Sequence, residues 1–425
     1  MASGKFAISC LLLGALNIVP LAAQDWPQWR GPKRDGAVSA FQEPSAWPER
    51  LEQRWRVDVG LGYATPVLVG KRLYLFTRQR EDEVMQAIDA DSGKVLWRTA
   101  YPAAFTMVAA TARHGAGPKS TPTFANGRLF TLGMTSVVTA FDANTGRQLW
   151  QTRPTSAQPQ FHTAMSPLVD GDLVIVHVGG PGAAALTAFD AATGAARWTW
   201  DGDSPAYGSP IALDFEGTRQ VVTFTHQNLV GVSAGTGELL WRRPFTTPSN
   251  TTSQTPIVHN GLVIQAGREN GITAFRVHRR DGKWTTEDVW ATKEVSLHMT
   301  NGVVVSGVLY GLSHLNSGQY FALDLDTGRV LWKSEPRQAT NAAMVSAAQT
   351  IFALEDDGEL VILRTSRERF DPVRRYEVAQ SETWAQPTIS GNRIYVKDVS
   401  NLTLWTVPSG TAAAGPHGHL GGRMR

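Results

Sequence analysis

The groups able to do chemistry in this 425-residue sequence are ten histidines, scattered carboxylates and one cysteine. Their spacing argues against most uses. There is no His-Glu-x-x-His and no pair of histidines at helical metal spacing, so zinc is not expected. Asp201-Gly-Asp203, Asp324-Leu-Asp326 and Glu355-Asp-Asp-Gly-Glu359 offer the clustered oxygens that hard cations prefer, yet none has the twelve-residue spacing of a calcium loop. All three read better as polar turns, and no metal site is predicted. A serine-nucleophile elbow of the Gly-x-Ser-x-Gly kind is not expected either, and no catalytic residue is singled out.

A second set is more informative by position. Tyr63, Arg113, His114, Lys119, His162, Tyr207, Gln254, His298, Asn301, Asn341 and Trp384 fall in segments that lead into a recurring dipeptide. That marker is Thr65-Pro66, Thr121-Pro122, Ser166-Pro167, Ser209-Pro210, Thr255-Pro256 and, as a variant, Gln386-Pro387. Brought together, such imidazoles, amides, cations and aromatic rings would stack on and hydrogen-bond to a small ligand or a partner's loop. The expectation is a binding site that His114, His162, Tyr207, His298 and Trp384 approach from five different repeats. The segment from Ala100 to Ser120 is longer than its counterparts and is the candidate lid or partner-contact loop.

The element that would gather them is a repeat. A small residue, Asp, a Thr-Gly or Ser-Gly turn and a Trp recur in order at residues 87–97, 140–150, 188–198 and 322–332, and at 230–241 with the Asp lost. In each copy the Asp can bond the backbone of the turn and the Gly can take positive φ, which describes a hairpin whose second strand carries the Trp. The Pro of the upstream marker suits the first residue of a strand, where no ladder donor is needed. Trp55, Trp97, Trp150, Trp198, Trp241, Trp290, Trp332 and Tyr376, taken as equivalent strand ends, are spaced by 42 to 53 residues. Four short strands fit each step, the period of a propeller blade. The copies ending at Trp290 and Tyr376 are the weakest. Three strands between Trp384 and Val407 lack a fourth, and the strand from Leu51 to Val57 lacks a blade, so the two are expected to complete an eighth.

The Ala-x-Asp-x-x-Thr-Gly-x-x-x-Trp pattern resembles the repeat of the pyrroloquinoline quinone (PQQ) propellers, and Asp25-Trp-Pro-Gln-Trp-Arg-Gly-Pro32 resembles the opening of many secreted members. The resemblance implies an all-β, eight-bladed propeller of four-stranded antiparallel blades. It also implies that Trp97, Trp150, Trp198, Trp241 and Trp332 form a structural girdle, each docked across the Gly-bearing turn of a neighbouring blade. Two kinds of relative frame the function. Quinoprotein alcohol dehydrogenases typically have a longer chain, an adjacent-cysteine disulfide and an acidic calcium site; the chain beyond Cys10 supplies no such disulfide and no haem-binding Cys-x-x-Cys-His. The barrel-assembly propeller lipoproteins of the outer membrane are non-catalytic scaffolds. Since fold alone does not transfer activity, the expectation is a non-catalytic binding scaffold for a protein or small ligand. No cofactor is predicted, and a dehydrogenase using PQQ with calcium is the alternative.

Composition sets the outer bounds. A formal net charge of +3 with no basic run gives no footprint for nucleic acid. Lys5 followed by a mostly apolar stretch and Leu21-Ala-Ala23 reads as a signal peptide over residues 1–23, with export to the periplasm or beyond. Gly14, Asn17 and Pro20 interrupt that stretch, so no transmembrane segment is expected. Residues 24–407 are assigned to one propeller, expected to be monomeric, and 408–425 to a disordered tail.

Overall fold

The structure, a computed structural model, describes residues 24–153, 157 and 159–408. The expected leader with Cys10, and all of the expected tail except Pro408, lie outside the described residues.

Strands such as Arg72–Gln79 and Asp82–Asp89 are buried on both faces along their middles. They can sit only in the centre of a sheet that is itself covered on both sides. Stacking like sheets around an axis provides that cover. Tyr74, Phe76 and Met85 of one sheet pack with Leu129 and Phe141 of the next, and equivalent clusters continue around the ring.

Eight sheets result, seven of four strands and one, blade 7, of five because a strand near the N-terminus joins it. Blade 1 spans residues 67–102, blade 2 123–152, blade 3 168–200, blade 4 211–244, blade 5 257–292, blade 6 303–333 and blade 7 342–377. Blade 8 takes three strands from residues 388–406 and its outermost from Glu52–Asp58, which runs antiparallel to Asn401–Thr406. This is the closure expected from the orphan strand.

The outer hairpins form as their sequence requires. The carboxylates of Asp89, Asp142, Asp190 and Asp324 accept from the backbone N–H and hydroxyl of Ser92, Thr145, Thr193 and Thr327. These bonds to the charged form hold the carboxyls of Asp89, Asp142 and Asp190 below their ordinary range; at Asp324, against the raising effect of burial, the Arg367 guanidinium does so first and the Thr327 bonds second. Trp97 lies on the turn of blade 2, where Gly146 has φ +74° and an added Cβ would come within 2.4 Å of the indole. Its Nε1 donates to the Ala143 carbonyl at 3.1 Å. Trp150 and Trp198 dock on the following blade in the same way, donating to Ala191 and Ala234 over Gly194 and Gly237. Trp332 also donates to the following blade, at the Ser366 carbonyl, but the turn there has no glycine, contrary to the expectation, and its ring packs on Phe370 instead. Trp290, read as a weak copy, is a full member, donating to Leu325 over Gly328.

Trp241 departs from the girdle. Blade 5 ends in a long hairpin, Gly271–Arg280 with Lys283–Thr292, and so presents no Thr-Gly turn for it to cover. Its indole instead lies over Gly231 and donates to Gln220 at 2.7 Å, both within its own blade.

Residues 24–38 enter the central channel and hydrogen-bond all eight blades. Trp26 pairs with Leu68 of blade 1, and the Pro27 carbonyl accepts from Phe124 of blade 2. Arg34 donates to the carbonyls of Pro167 and Pro210, at the inner edges of blades 3 and 4. Trp29 donates to Thr255 of the segment entering blade 5 at 2.9 Å, Arg30 to Asn301 and Gly302 beside blade 6. Ala37–Val38 adds a parallel strand inside blade 7, and Ser390 of blade 8 donates to Gln24. Burial lowers Arg30 to about 10 and Arg34 to about 9, an electrostatic cost borne by the carbonyls that surround them.

Candidate functional site

Every chain segment that enters an innermost strand arrives at the same end of the propeller, because each blade adds four strands and returns the chain to its starting face. The segments are fixed to one another by the residue before the proline. The Thr65 N–H donates to Thr121 Oγ1, Thr121 N–H to Ser166 Oγ and Ser166 N–H to Ser209 Oγ, at 2.9–3.0 Å. On the other side of the ring Thr255 N–H donates to Asn301 Oδ1 at 2.8 Å. These links set the depth at which the preceding side chains stand.

A cavity of about 360 Å³ lies on the axis there. Trp29 of the N-terminal plug lines it, and Tyr63, His114, Lys119, Tyr207, His298, Asn301, Asn341 and Trp384 belong to its wall. Four of the five residues expected to converge therefore meet. His114 lies edge-on to Trp384 with ring centroids 4.5 Å apart. Tyr207 stacks at a tilt against Phe161, whose N–H donates to its hydroxyl at 3.2 Å.

Three expected residues stand elsewhere. The His162 ring is turned from the cavity to the lid segment, 3.2 Å from the Thr106 carbonyl and edge-on to Phe105, and its neighbour Phe161 takes the wall position. Gln254 is buried behind the wall, where its amide donates to the carbonyls of His298 and Thr300. Arg113 is a tether: it pairs with Asp356 at 3.0 Å and Glu382 at 3.2 Å and covers the far side of Trp384. The long segment after Pro102 carries a short 3₁₀ turn, Ala109–His114. Ala110, Thr111 and His114 of that turn line the cavity, and Arg113 fastens the segment to blade 7 and to the segment entering blade 8.

Sequence reasoning missed Trp29, Phe161, Arg268 and Met299. Trp29 lies in the opening motif rather than in the repeat. Arg268 belongs to the turn between the second and third strands of blade 5, which reaches the same face, and that geometric equivalence was the available signal.

The electrostatics of the wall are one-sided. No aspartate or glutamate is among its described residues, whereas Lys119 and Arg268 are. The Lys119 Nζ is buried without a hydrogen-bond partner, and burial lowers it to about 8. His298 is held near 4 by burial, then by His314, Arg268 and His114; burial and Lys119 lower His114. Burial raises Tyr63 and Tyr207 to about 12. At neutral pH both imidazoles and both phenols are thus uncharged.

The calcium and quinone of the related dehydrogenases can be tested against this wall. Calcium takes six to eight oxygens, carboxylates foremost. The wall offers amides and hydroxyls, and sets a buried ammonium among them, so the residues do not fit the metal. The acidic patterns elsewhere are engaged in structure. Asp203 accepts from Thr225, Gln227 and Asn228, and Glu355 from Tyr320 and Arg375. The sequence does contain one Gly-x-Ser-x-Gly string, residues 231–235, contrary to the expectation. It belongs to the outer hairpin of blade 4, where the Ser233 N–H donates to the Glu238 carbonyl, and not to a strand-to-helix elbow.

Comparison with known proteins places the chain beside two kinds of propeller. The family profile described as outer membrane protein assembly factor BamB matches residues 34–198, 80–334 and 316–413. The chain is 25% identical to the BamB of Yersinia pestis over 57% of this chain and 63% of that protein. It is also 25% identical to the BamB of Burkholderia pseudomallei, over 81% of this chain and 85% of that protein. The solved quinohemoprotein alcohol dehydrogenase of Comamonas testosteroni superposes with a TM-score of 0.65 at 15% identity, over 93% of this chain and 82% of the other. At that identity the likeness is one of fold.

Proposed function

Because the chain belongs to the family described as outer membrane protein assembly factor BamB, we propose that it is a non-catalytic binding propeller, exported to the cell envelope or beyond, that recognises a protein or small ligand at the end of its axis. One observation carries the choice of that end. Side chains from most of the blades converge there on a cavity closed from behind by the N-terminal plug and flanked by the tethered 3₁₀ turn. Binding residues held on loops of a rigid frame suit recognition. The carboxylate-free wall supports binding over the calcium-dependent oxidation carried out by some propellers of this fold.

The test is a photo-crosslinking residue placed at Ser253 in the cavity wall and, as a control, at Lys94 on the outer rim, in cells that produce the full chain. Adducts with one defined molecule from Ser253 alone are expected. Adducts from Lys94 alone would move the recognition surface to the rim and end the axial reading.

A further inference from the structure

We propose that the mouth of the central channel opposite the axial cavity is a separate binding site, for a small anionic amphiphile whose alkyl chain lies along the inner strands of blades 3 to 6 and whose head meets Lys33. The residues of the axial wall precede the inner strands, whereas Val169, Asp170, Val258 and His259 end them, and a second cavity, of about 540 Å³, opens at that end. It arises from the way the plug crosses the channel. Residues 24–38 meet blades 1, 2 and 7 through the backbone: Trp26 pairs with Leu68, the Pro27 carbonyl accepts from Phe124, and Ala37–Val38 lies beside Ser346 and Ala347. Among the described residues, the plug's hydrogen bonds to blades 3 to 6 and the segments entering them come from side chains, those of Trp29, Arg30 and Arg34. The plug backbone therefore stands off that side, and Val169, Leu213, Val258 and Val304 keep part of their surface in the gap. Half-exposed aliphatic side chains in a concave wall favour an apolar chain over water.

Charge selects the head. The wall sets Arg30, Lys33, Arg34 and Arg219 against Asp35 and Asp170. Arg219 is already paired with Asp170 and with Asp214. Asp35 acts on Arg30 from nearby and accepts from the Ala37 N–H. Arg34 bonds only neutral acceptors, the Gln28 side chain and the carbonyls of Pro167 and Pro210. The ligand has no need to touch either plug guanidinium, since their charge leaves the gap positive as a whole. Lys33, exposed at the edge of the gap and in no ion pair among the described residues, is placed to hold an anionic head by a charge-assisted hydrogen bond. A cationic amphiphile of the same length is repelled.

The test titrates the full exported chain calorimetrically with decanoate, decanamide and decylamine, below the concentrations at which they form micelles. Decanoate should bind about tenfold more tightly than decanamide, and decylamine not at all. Lys33→Glu reverses an exposed charge and should lower decanoate affinity about tenfold or more while sparing decanamide. Leu213→Trp fills the gap and should abolish binding of both, whereas Ser253→Trp, in the axial wall, should leave both unchanged; melting temperatures establish that the variants fold. Should Leu213→Trp fail to fold, Lys33→Glu and Ser253→Trp still decide the matter. Equal binding of acid and amide, decanoate affinity unmoved by Lys33→Glu, loss of binding in Ser253→Trp, or binding of none of the probes would each overturn the inference. The photo-adducts expected from Ser253 do not depend on any of these results, so the axial reading is tested apart from this site.

Discussion

The backbone N–H of Gln386 donates to Thr65 Oγ1 at 3.2 Å across 321 residues of sequence. Blade 8 is thereby tied to blade 1 by the same device that ties blade 1 to blade 2 and blade 2 to blade 3. The axial face is held by a run of single hydrogen bonds, each between a backbone donor of one blade and a side-chain acceptor of the next.

Thr65→Val keeps the shape of the side chain and removes that acceptor, leaving a buried N–H unpaired at the closing seam. The expected loss is about 1–3 kcal/mol, the cost of an unsatisfied buried donor. Urea melts measure it. A variant as stable as the parent would show that the seam does not depend on this bond.

Trp150→Ala and Trp332→Ala should each destabilise the fold by about 3–5 kcal/mol, the usual cost of truncating a large packed aromatic residue. Gly194→Ala attacks the Trp150 contact from the other side, since its Cβ would lie 2.7 Å from the Trp150 ring at φ +75°. Unchanged thermal melts for all three would remove the girdle.

Arg30→Met leaves the carbonyls of Arg34, Asn301 and Gly302 without their donor. The expected cost is about 1.5–3 kcal/mol, the range for a hydrogen bond to a charged group. It should be accompanied by faster protease cleavage within residues 24–38. Cleavage as slow as in the parent would mean that the plug is held without Arg30.

Burial pushes the Glu355 carboxyl up to about 7, against the lowering effect of the Tyr320 hydroxyl and Arg375. Between its ordinary value of 4.5 and 7 the folded chain thus binds more protons at this site than the unfolded chain. Stability from this group is greatest below pH 4.5 and falls as pH rises to 7. Glu355→Gln should flatten that part of the stability profile relative to the parent. Parallel profiles for parent and variant across pH 4.5–7 would contradict the assignment.

Protein incubated with PQQ and calcium should not oxidise simple alcohols, since the axial wall holds no described carboxylate to bind the metal. Dye reduction with stoichiometric cofactor uptake would restore the dehydrogenase reading.

The fold was legible because its markers are local. Asp142 with Thr145 and Gly146 makes a hairpin from six residues, and Trp97 needs only such a turn on the neighbouring blade. What escaped depends on position around the ring. Thr65 and Thr121 stood in view beside their prolines, but their role as acceptors exists only once adjacent blades are placed. Trp241 matched the repeat and left the girdle because blade 5 lacks the turn it would have covered. The site was half visible for the same reason. The level of His162 on the axial face follows from its place before a marker, whereas the turn of its ring toward Phe105 depends on the lid segment. Trp29 carries no period at all, and its place in the cavity is a consequence of the plug.

The last sheet has consequences for the life of the chain before it is finished. A ribosome-length fragment ending anywhere short of residue 401 has nothing to pair with Glu52–Asp58, so that strand and the exposed flank of the final blade remain open edges able to recruit another copy. The closing contact spans most of the sequence, and contacts so distant form late and slowly. Truncated or stalled chains should therefore be the sticky, protease-sensitive species, and pairing of the first outer strand with the last one marks the moment at which the ring closes and its open edges are lost.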